Sequence, residues 1–215
     1  MKRHNNSKHL PYFKLLEALK LPGCPICRLI ISSTRRYFDN LLYESVTDAG
    51  FRRKWRQNKG FCHRHSWILA ESGNALGLGI LYLDLLKNHN SILLNRPTAQ
   101  PCSICIMEIE SLKRHIGTLV DYWSDADIKK AVESSEGFCG PHLRFAKKVI
   151  DNTEIYEKLE KISSDNLNHL IADLEQLIDS FDYRHSPPDS DSVKFAWRRA
   201  IEKIVGCREL SENNK

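Results

Sequence analysis

Cysteine pairs recur along this chain at one offset, and that repetition constrains the architecture more than any other feature. Cys24-Pro25-Ile26-Cys27 returns as Cys102-Ser103-Ile104-Cys105 at an offset of 78, and Gly60-Phe61-Cys62-His63-Arg64-His65 returns as Gly137-Phe138-Cys139-Gly140-Pro141-His142 at 77. Between them Thr47-Asp48-Ala49 matches Ser124-Asp125-Ala126, again at 77. Three matches in order at nearly one offset mark a tandem duplication. The change from 78 to 77 puts a one-residue difference between the cysteine pair and the middle block.

Two residues between ligands let one tight turn aim both side chains at one point. Cys-x-x-Cys with Cys-x-x-His supplies three sulfurs and one nitrogen, the set that closes a tetrahedral structural zinc site. Taken within each repeat, the sets are Cys24, Cys27, Cys62, His65 and Cys102, Cys105, Cys139, His142. The spacing alone does not choose between closure within a repeat and closure across repeats. Four ligands per site leave no open position, which disfavours a catalytic zinc. Two zinc ions are therefore expected, with an iron–sulfur cluster or mononuclear iron as the alternative that uses the same residues. A dithiol redox role for Cys24, Cys27, Cys102 and Cys105 is a further alternative, though no βαβ pattern accompanies the Cys-Pro-Ile-Cys turn. Unlinked core cysteines are the bland alternative to two metal sites. The duplicate of the first histidine pair has Gly140 in place of His63, which points to His65 as the ligand.

Both repeats read as helical. Apolar residues in the run 28–46 fall at helical spacing. Thr47-Asp48 and Ser124-Asp125 suit helix N-caps, and Gly60 and Gly137 suit helix ends. One long helix is expected over 67–88 after His65, and a shorter one over 143–151 after His142. Thr153 is expected to cap a helix to about Tyr183. Its apolar residues Ile155, Leu159, Ile162, Leu170, Leu174, Leu177, Ile178 and Phe181 are expected to form one stripe. The segment 185–192 breaks it, and a final helix runs over about 193–205 to Gly206. No convincing strand alternation occurs, so the fold class is all-α: tandem helical lobes, each with a Cys3His site at helix N-termini, then a long and a short C-terminal helix. The expected division is an N-terminal segment and helix (1–20), repeat 1 (21–98), repeat 2 (99–152), C-terminal helices packing on the repeats (153–207) and a frayed tail (208–215).

Composition bears on compartment and partners. Apolar content of 41% and charged content of 27% are ordinary for a globular protein. The basic start lacks a continuous apolar run of the secretory kind, and no stretch is long enough to span a bilayer. A cytoplasmic location is expected, where seven cysteines point to metal or redox chemistry rather than disulfides. The net charge of +5 is unevenly spread. Residues 20–96 hold twelve Lys/Arg against five Asp/Glu, and 102–160 hold eight against eleven.

The layout CPxC, GFCxxH, CxxC and CxxH resembles an uncharacterised prokaryotic family, domain of unknown function family 6062. The likeness extends to Tyr43-Glu44-Ser45-Val46-Thr47-Asp48, Ala75-Leu76-Gly77, Asp182-Tyr183-Arg184 and Trp197-Arg198-Arg199-Ala200, so it covers nearly all of 24–206. Ser103 stands where the family's proline would be, which affects a turn but no ligand. The resemblance implies the repeat and the metal sites, and no activity.

Arg52, Arg53, Trp55 and Arg56 form a basic segment with an interleaved aromatic that could bind nucleic acid. The competing and favoured reading is a solvated helix face with Trp55 and Phe51 turned into the core. Gly73, Gly77 and Gly79 fall within the expected long helix and suggest close approach of another helix, as across a dimer. Asp182-Tyr183-Arg184-His185 reads as a C-terminal helix cap. Cys207 has no counterpart in either repeat and lies outside both ligand sets. No Ser-His-Asp order, phosphate loop or His-Glu-x-x-His motif argues for an enzyme. The expected role is a metal-binding scaffold that engages a protein partner or a second copy of itself.

Overall fold

The computed structural model describes residues 8–88, 101–182, 184 and 190–208. Among these residues every regular element is helical and none is a strand. The order is α1 (Leu10–Leu19), α2 (Pro25–Asn40), a π-turn (Leu41–Ser45), α3 (Ala49–Gln57), α4 (His63–Ala70) and α5 (Ala75–Asn88). Then follow α6 (Ser103–Asp121), α7 (Ala126–Glu133), α8 (Gly140–Val149), α9 (Thr153–Asp179), α10 (Asp191–Lys194) and α11 (Ala196–Val205). No helix among the described residues is long and apolar enough to cross a membrane.

The chain forms two compact units, one of residues 1–31 with 112–215 and the other of 32–111. These units and the sequence repeats divide the chain differently, because the chain passes from one unit to the other inside α2 and again inside α6. In the discontinuous unit, Tyr12, Leu15 and Leu19 of α1 join Ile116, Ile128, Phe138 and Leu159 in one buried cluster. In the continuous unit the cluster is built on Phe38, Trp55, Phe61, Leu69, Leu81 and Ile104. Each fully buried large apolar side chain contributes about 2 kcal/mol.

Local chemistry accounts for most helix ends. Asp48 accepts the Phe51 N–H at 2.6 Å, and Asp125 accepts those of Asp127 and Ile128. Both act as the N-caps that the repeat implied. The π-turn carries the one-residue difference between the repeats: α6 runs unbroken where repeat 1 holds its extra residue, and a π-turn is how a helix absorbs one.

Five expectations are corrected. The run after His65 is two helices, because Gly73 takes φ +71° and Asn74 caps α5 by accepting the Gly77 N–H. Of the three glycines, only Gly77 lies inside a close approach; a Cβ there would come within 3.0 Å of Leu42, whereas at Gly79 it would meet nothing. Asn152, not Thr153, caps α9 through its side chain. The α9 apolar residues do not form one buried stripe: Ile155, Leu159, Ile162 and Leu170 are buried, but Ile178 is 67% and Phe181 84% exposed. The expected final helix is also interrupted at Phe195, which separates α10 from α11. Tyr183, His185 and the tail beyond Arg208 lie outside the described residues.

Candidate metal centres

All four half-sites share one local design. Cys62 and Cys139 are the N-caps of α4 and α8, with extended backbone, and His65 and His142 follow three residues later inside the first turn. Cys24 and Cys102 stand just before α2 and α6, with Cys27 and Cys105 three residues on. An i, i+3 pair at a helix start puts both side chains on one face, beside backbone N–H groups that favour thiolate. Phe61 and Phe138, buried beside Cys62 and Cys139, anchor the two GFC turns in their cores. Gly137 is obligatory in the second turn: its φ is +71°, and a Cβ would sit 2.5 Å from Ser163 Oγ, which accepts the Phe138 N–H.

The half-sites combine across the repeats. Cys24 and Cys27 meet Cys139 and His142 in the discontinuous unit, while Cys102 and Cys105 meet Cys62 and His65 in the continuous one. This corrects the within-repeat sets, although the eight residues are the same. Helix lengths give the reason. From Cys27 to the end of α2 the chain travels about 20 Å, and the nine residues of α3 return it by at most about 14 Å. The pair α6 and α7, of 19 and eight residues, is still more unequal.

Within each set the four ligand atoms lie within 4.8 Å of one another. Cys27 Sγ is 3.6 Å from Cys139 Sγ, and His142 Nδ1 is 3.5, 3.4 and 3.1 Å from the sulfurs of Cys24, Cys27 and Cys139. In the other set Cys62 Sγ is 3.8 Å from Cys105 Sγ, and His65 Nδ1 is 3.2, 3.6 and 3.5 Å from Cys62, Cys102 and Cys105. A zinc tetrahedron with bonds of about 2.3 Å to sulfur and 2.0–2.1 Å to nitrogen has edges of about 3.8 and 3.6 Å. Both sets could hold one metal ion.

The electrostatics show why these groups suit a cation. Burial opposes ionisation of Cys102, but backbone N–H groups from Cys62, Cys105 and Ile104 outweigh it and bring the thiol down to about 7. Burial, Cys62 and the neighbouring Cys102 charge push Cys105 up to about 12. In the other set Cys24 is held well below the usual thiol range despite its burial, by Cys139, Cys27 and His142. Cys27 is driven far above that range, first by Cys139 and Cys24. Burial disfavours the charged ring of His142, yet the Cys139 and Cys24 sulfurs raise it to about 10. Three thiolates cannot share so small a volume without positive charge, and a divalent ion supplies it.

The sequence profile of a family described as "Family of unknown function (DUF6062)" matches this chain twice, over residues 9–98 and 94–210. The chain belongs to this family. The double match agrees with the tandem duplication and places one CxxC and one CxxH in each copy of the DUF6062 profile. An "Uncharacterized 23.9 kDa protein in xynA 3'region" of Caldicellulosiruptor sp. (strain Rt8B.4) is 27% identical over 205 residues, covering 90% of this chain and all of that one. No solved structure matches.

Two groups around the centres went unread in the sequence. Glu108, one turn beyond Cys105 on α6, lies 3.2 Å from His65 Nε2 and also accepts from Arg64 at 2.6 Å and Thr34 at 3.1 Å. It orients the ring so that Nδ1 faces the sulfurs. The only sequence signal was the i+3 spacing from Cys105. Repeat 1 has Ile30 at the equivalent place, so the duplication could not flag it. At the other centre the Cys207 N–H donates to Cys27 Sγ at 3.3 Å after Gly206, at φ +91°, turns the chain over the sulfurs. Cys207 is thus outside the ligand set but packed against it. His63 is exposed and accepts from Trp67 Nε1, apart from the ligands.

The basic segment takes the core-facing arrangement. Trp55 is 2% exposed, donates Nε1–H to the Leu81 carbonyl and packs edge-on against Phe61. Arg52 and Arg56 both turn to Asp84. Arg53 alone of the four is directed to solvent.

Proposed function

We propose that this chain is a two-metal helical scaffold in which structural zinc closes each Cys3His set and the protein presents its helical surface to a partner. The observation that carries the reading is the match of both sets to the edges of a single-ion tetrahedron. A polynuclear iron–sulfur cluster interposes several metal–sulfur bonds between its cysteines, and ligand atoms all within 4.8 Å of one another leave room for one ion. When bound, zinc would neutralise the thiolates and tie two distant chain segments together, so that its binding energy becomes folding energy. The chain's own contribution is to hold the ligands ready: N-terminal helical turns aim them, Glu108 fixes His65, and Cys207 N–H supports Cys27.

Elemental analysis with an absorption spectrum, on protein purified without oxygen, tests the reading. About two zinc per chain, no visible band and unfolding on chelation are expected. Iron with a charge-transfer band would replace zinc with the iron–sulfur or redox alternative.

A further inference from the structure

Six of the seven cysteines belong to the two ligand sets, and the seventh, Cys207, is packed against one of them. Gly206 brings the chain over the sulfurs: a Cβ there would stand 3.8 Å from Cys27 Sγ and 3.9 Å from Cys139 Sγ. The Cys207 N–H then reaches Cys27 Sγ at 3.3 Å, and one further bond places the Cys207 Cα within about 4.8 Å of that sulfur. At that range a disulfide to Cys27 needs rotation of side chains rather than rebuilding of the backbone.

The two cysteines differ in access. Cys27 is 4% exposed, whereas Cys207 is half-buried and lines a cavity of about 350 Å³ that also reaches Cys24 and Cys139. A small solute that enters this cavity meets Cys207 beside the ligand set. The duplication supplies a control within the same chain. The centre built on Cys62, Cys102 and Cys105 has no fourth cysteine against it, because all the others are accounted for at the first centre.

We propose that Cys207 is an oxidation site, at which a hydroperoxide starts formation of a Cys27–Cys207 disulfide that opens this metal centre. The hydroperoxide oxidises the Cys207 thiol to a sulfenic acid: its O–O bond breaks, the sulfur gives up two electrons, and the remaining oxygen leaves as an alcohol, or as water from hydrogen peroxide. The Cys27 sulfur then attacks the Cys207 sulfur. The S–S bond forms as the S–O bond breaks, and the departing hydroxide takes a proton to become water. Cys27 in a disulfide carries no thiolate charge, so Cys24, Cys139 and His142 remain as ligands and one coordination position is left open. The inference rests on the scaffold reading for the ion that is released, while the sulfur chemistry belongs to the chain alone.

Full-length, zinc-loaded protein treated with an equimolar amount of hydrogen peroxide tests it, with zinc release read by a chromogenic chelator and disulfides by tryptic peptide mass mapping. About one zinc per chain should be released, and peptide 204–208 should be found joined to peptide 21–28, with fragmentation placing the bond on Cys27. Cys207→Ser keeps the backbone N–H that reaches Cys27, so it should load with zinc as the wild type does, form no such link and lose zinc at least about tenfold more slowly. Dithiothreitol with added zinc should restore the wild-type metal content. Equally fast release from Cys207→Ser, release without the Cys27–Cys207 link, or a loss that dithiothreitol does not reverse overturns the proposal. So does a wild-type chain that keeps both ions and all its thiols under peroxide. Zinc measured before peroxide separates the two readings. A chain with two zinc ions and no Cys27–Cys207 link defeats the oxidation site alone, and a chain that never binds zinc defeats the scaffold, while the linked peptides still decide the disulfide.

Discussion

Asp84 is a buried carboxylate on the largely apolar helix α5, and it decides what the neighbouring arginines do. Arg52 reaches it at 2.6 Å and Arg56 at 2.9 Å, each arginine about one-third exposed. Burial alone would raise the Asp84 pKa, but the two guanidinium groups outweigh it and hold the carboxyl below its ordinary value. Asp84→Asn leaves two half-buried cations facing a neutral amide, and should cost about 3 kcal/mol in urea unfolding at pH 7. Because the folded-state pKa is depressed, the ion pairs' contribution is complete above the unfolded value of about 3.9 and is lost as pH falls below it. The gap between wild type and variant should therefore be constant from neutral pH to about pH 5 and shrink below about pH 4. An equal gap at pH 3 would show that the amide change acts through packing and not charge.

Pairing across the repeats can be tested at the level of the elements. Cys62→Ala with Cys102→Ala removes two ligands from one tetrahedron, so one tight site should survive competition with a chromogenic zinc chelator. Cys27→Ala with Cys62→Ala removes one ligand from each, so no four-ligand site should remain. Closure within repeats would reverse the two outcomes. The sequence made the ligands legible because a duplication repeats what each half-site needs: a Cys at the N-cap, a Cys or His one turn on, and an aspartate cap between. It left their pairing illegible because pairing depends on how far each helix carries the chain, and the 34 residues between Cys27 and Cys62 read equally well as a hairpin that closes on itself. The single-stripe expectation for α9 failed for a related reason. Periodicity shows that a face is apolar, not what covers it, and Ile178 and Phe181 belong to a face that no other described residue covers. Glu108 was hidden because its role appears only once His65 has been placed.

For the whole molecule, the compact units and not the repeats should be the parts that fold. Residues 32–111 contain the complete Phe38–Trp55–Phe61–Leu81 core and all four members of one ligand set, Cys62, His65, Cys102 and Cys105. Repeat 1, residues 21–98, holds Cys24 and Cys27 without their partners Cys139 and His142, and Cys62 and His65 without Cys102 and Cys105. It also lacks Ile104, which belongs to the buried cluster around Phe38 and Trp55. A peptide of residues 32–111 should therefore bind about one zinc and gain helical circular dichroism on metal addition, because ligand closure and core burial occur in the same segment. A peptide of residues 21–98 should bind zinc only through two-ligand half-sites, weakly and without a cooperative thermal transition. The two peptides are nearly equal in length, so chain size cannot account for a difference between them. Tight, cooperative zinc binding by 21–98 would mean that the repeat closes on itself in isolation. The cross-repeat arrangement would then be a choice made by the full chain, equivalent to an internal exchange of half-sites between two self-sufficient modules.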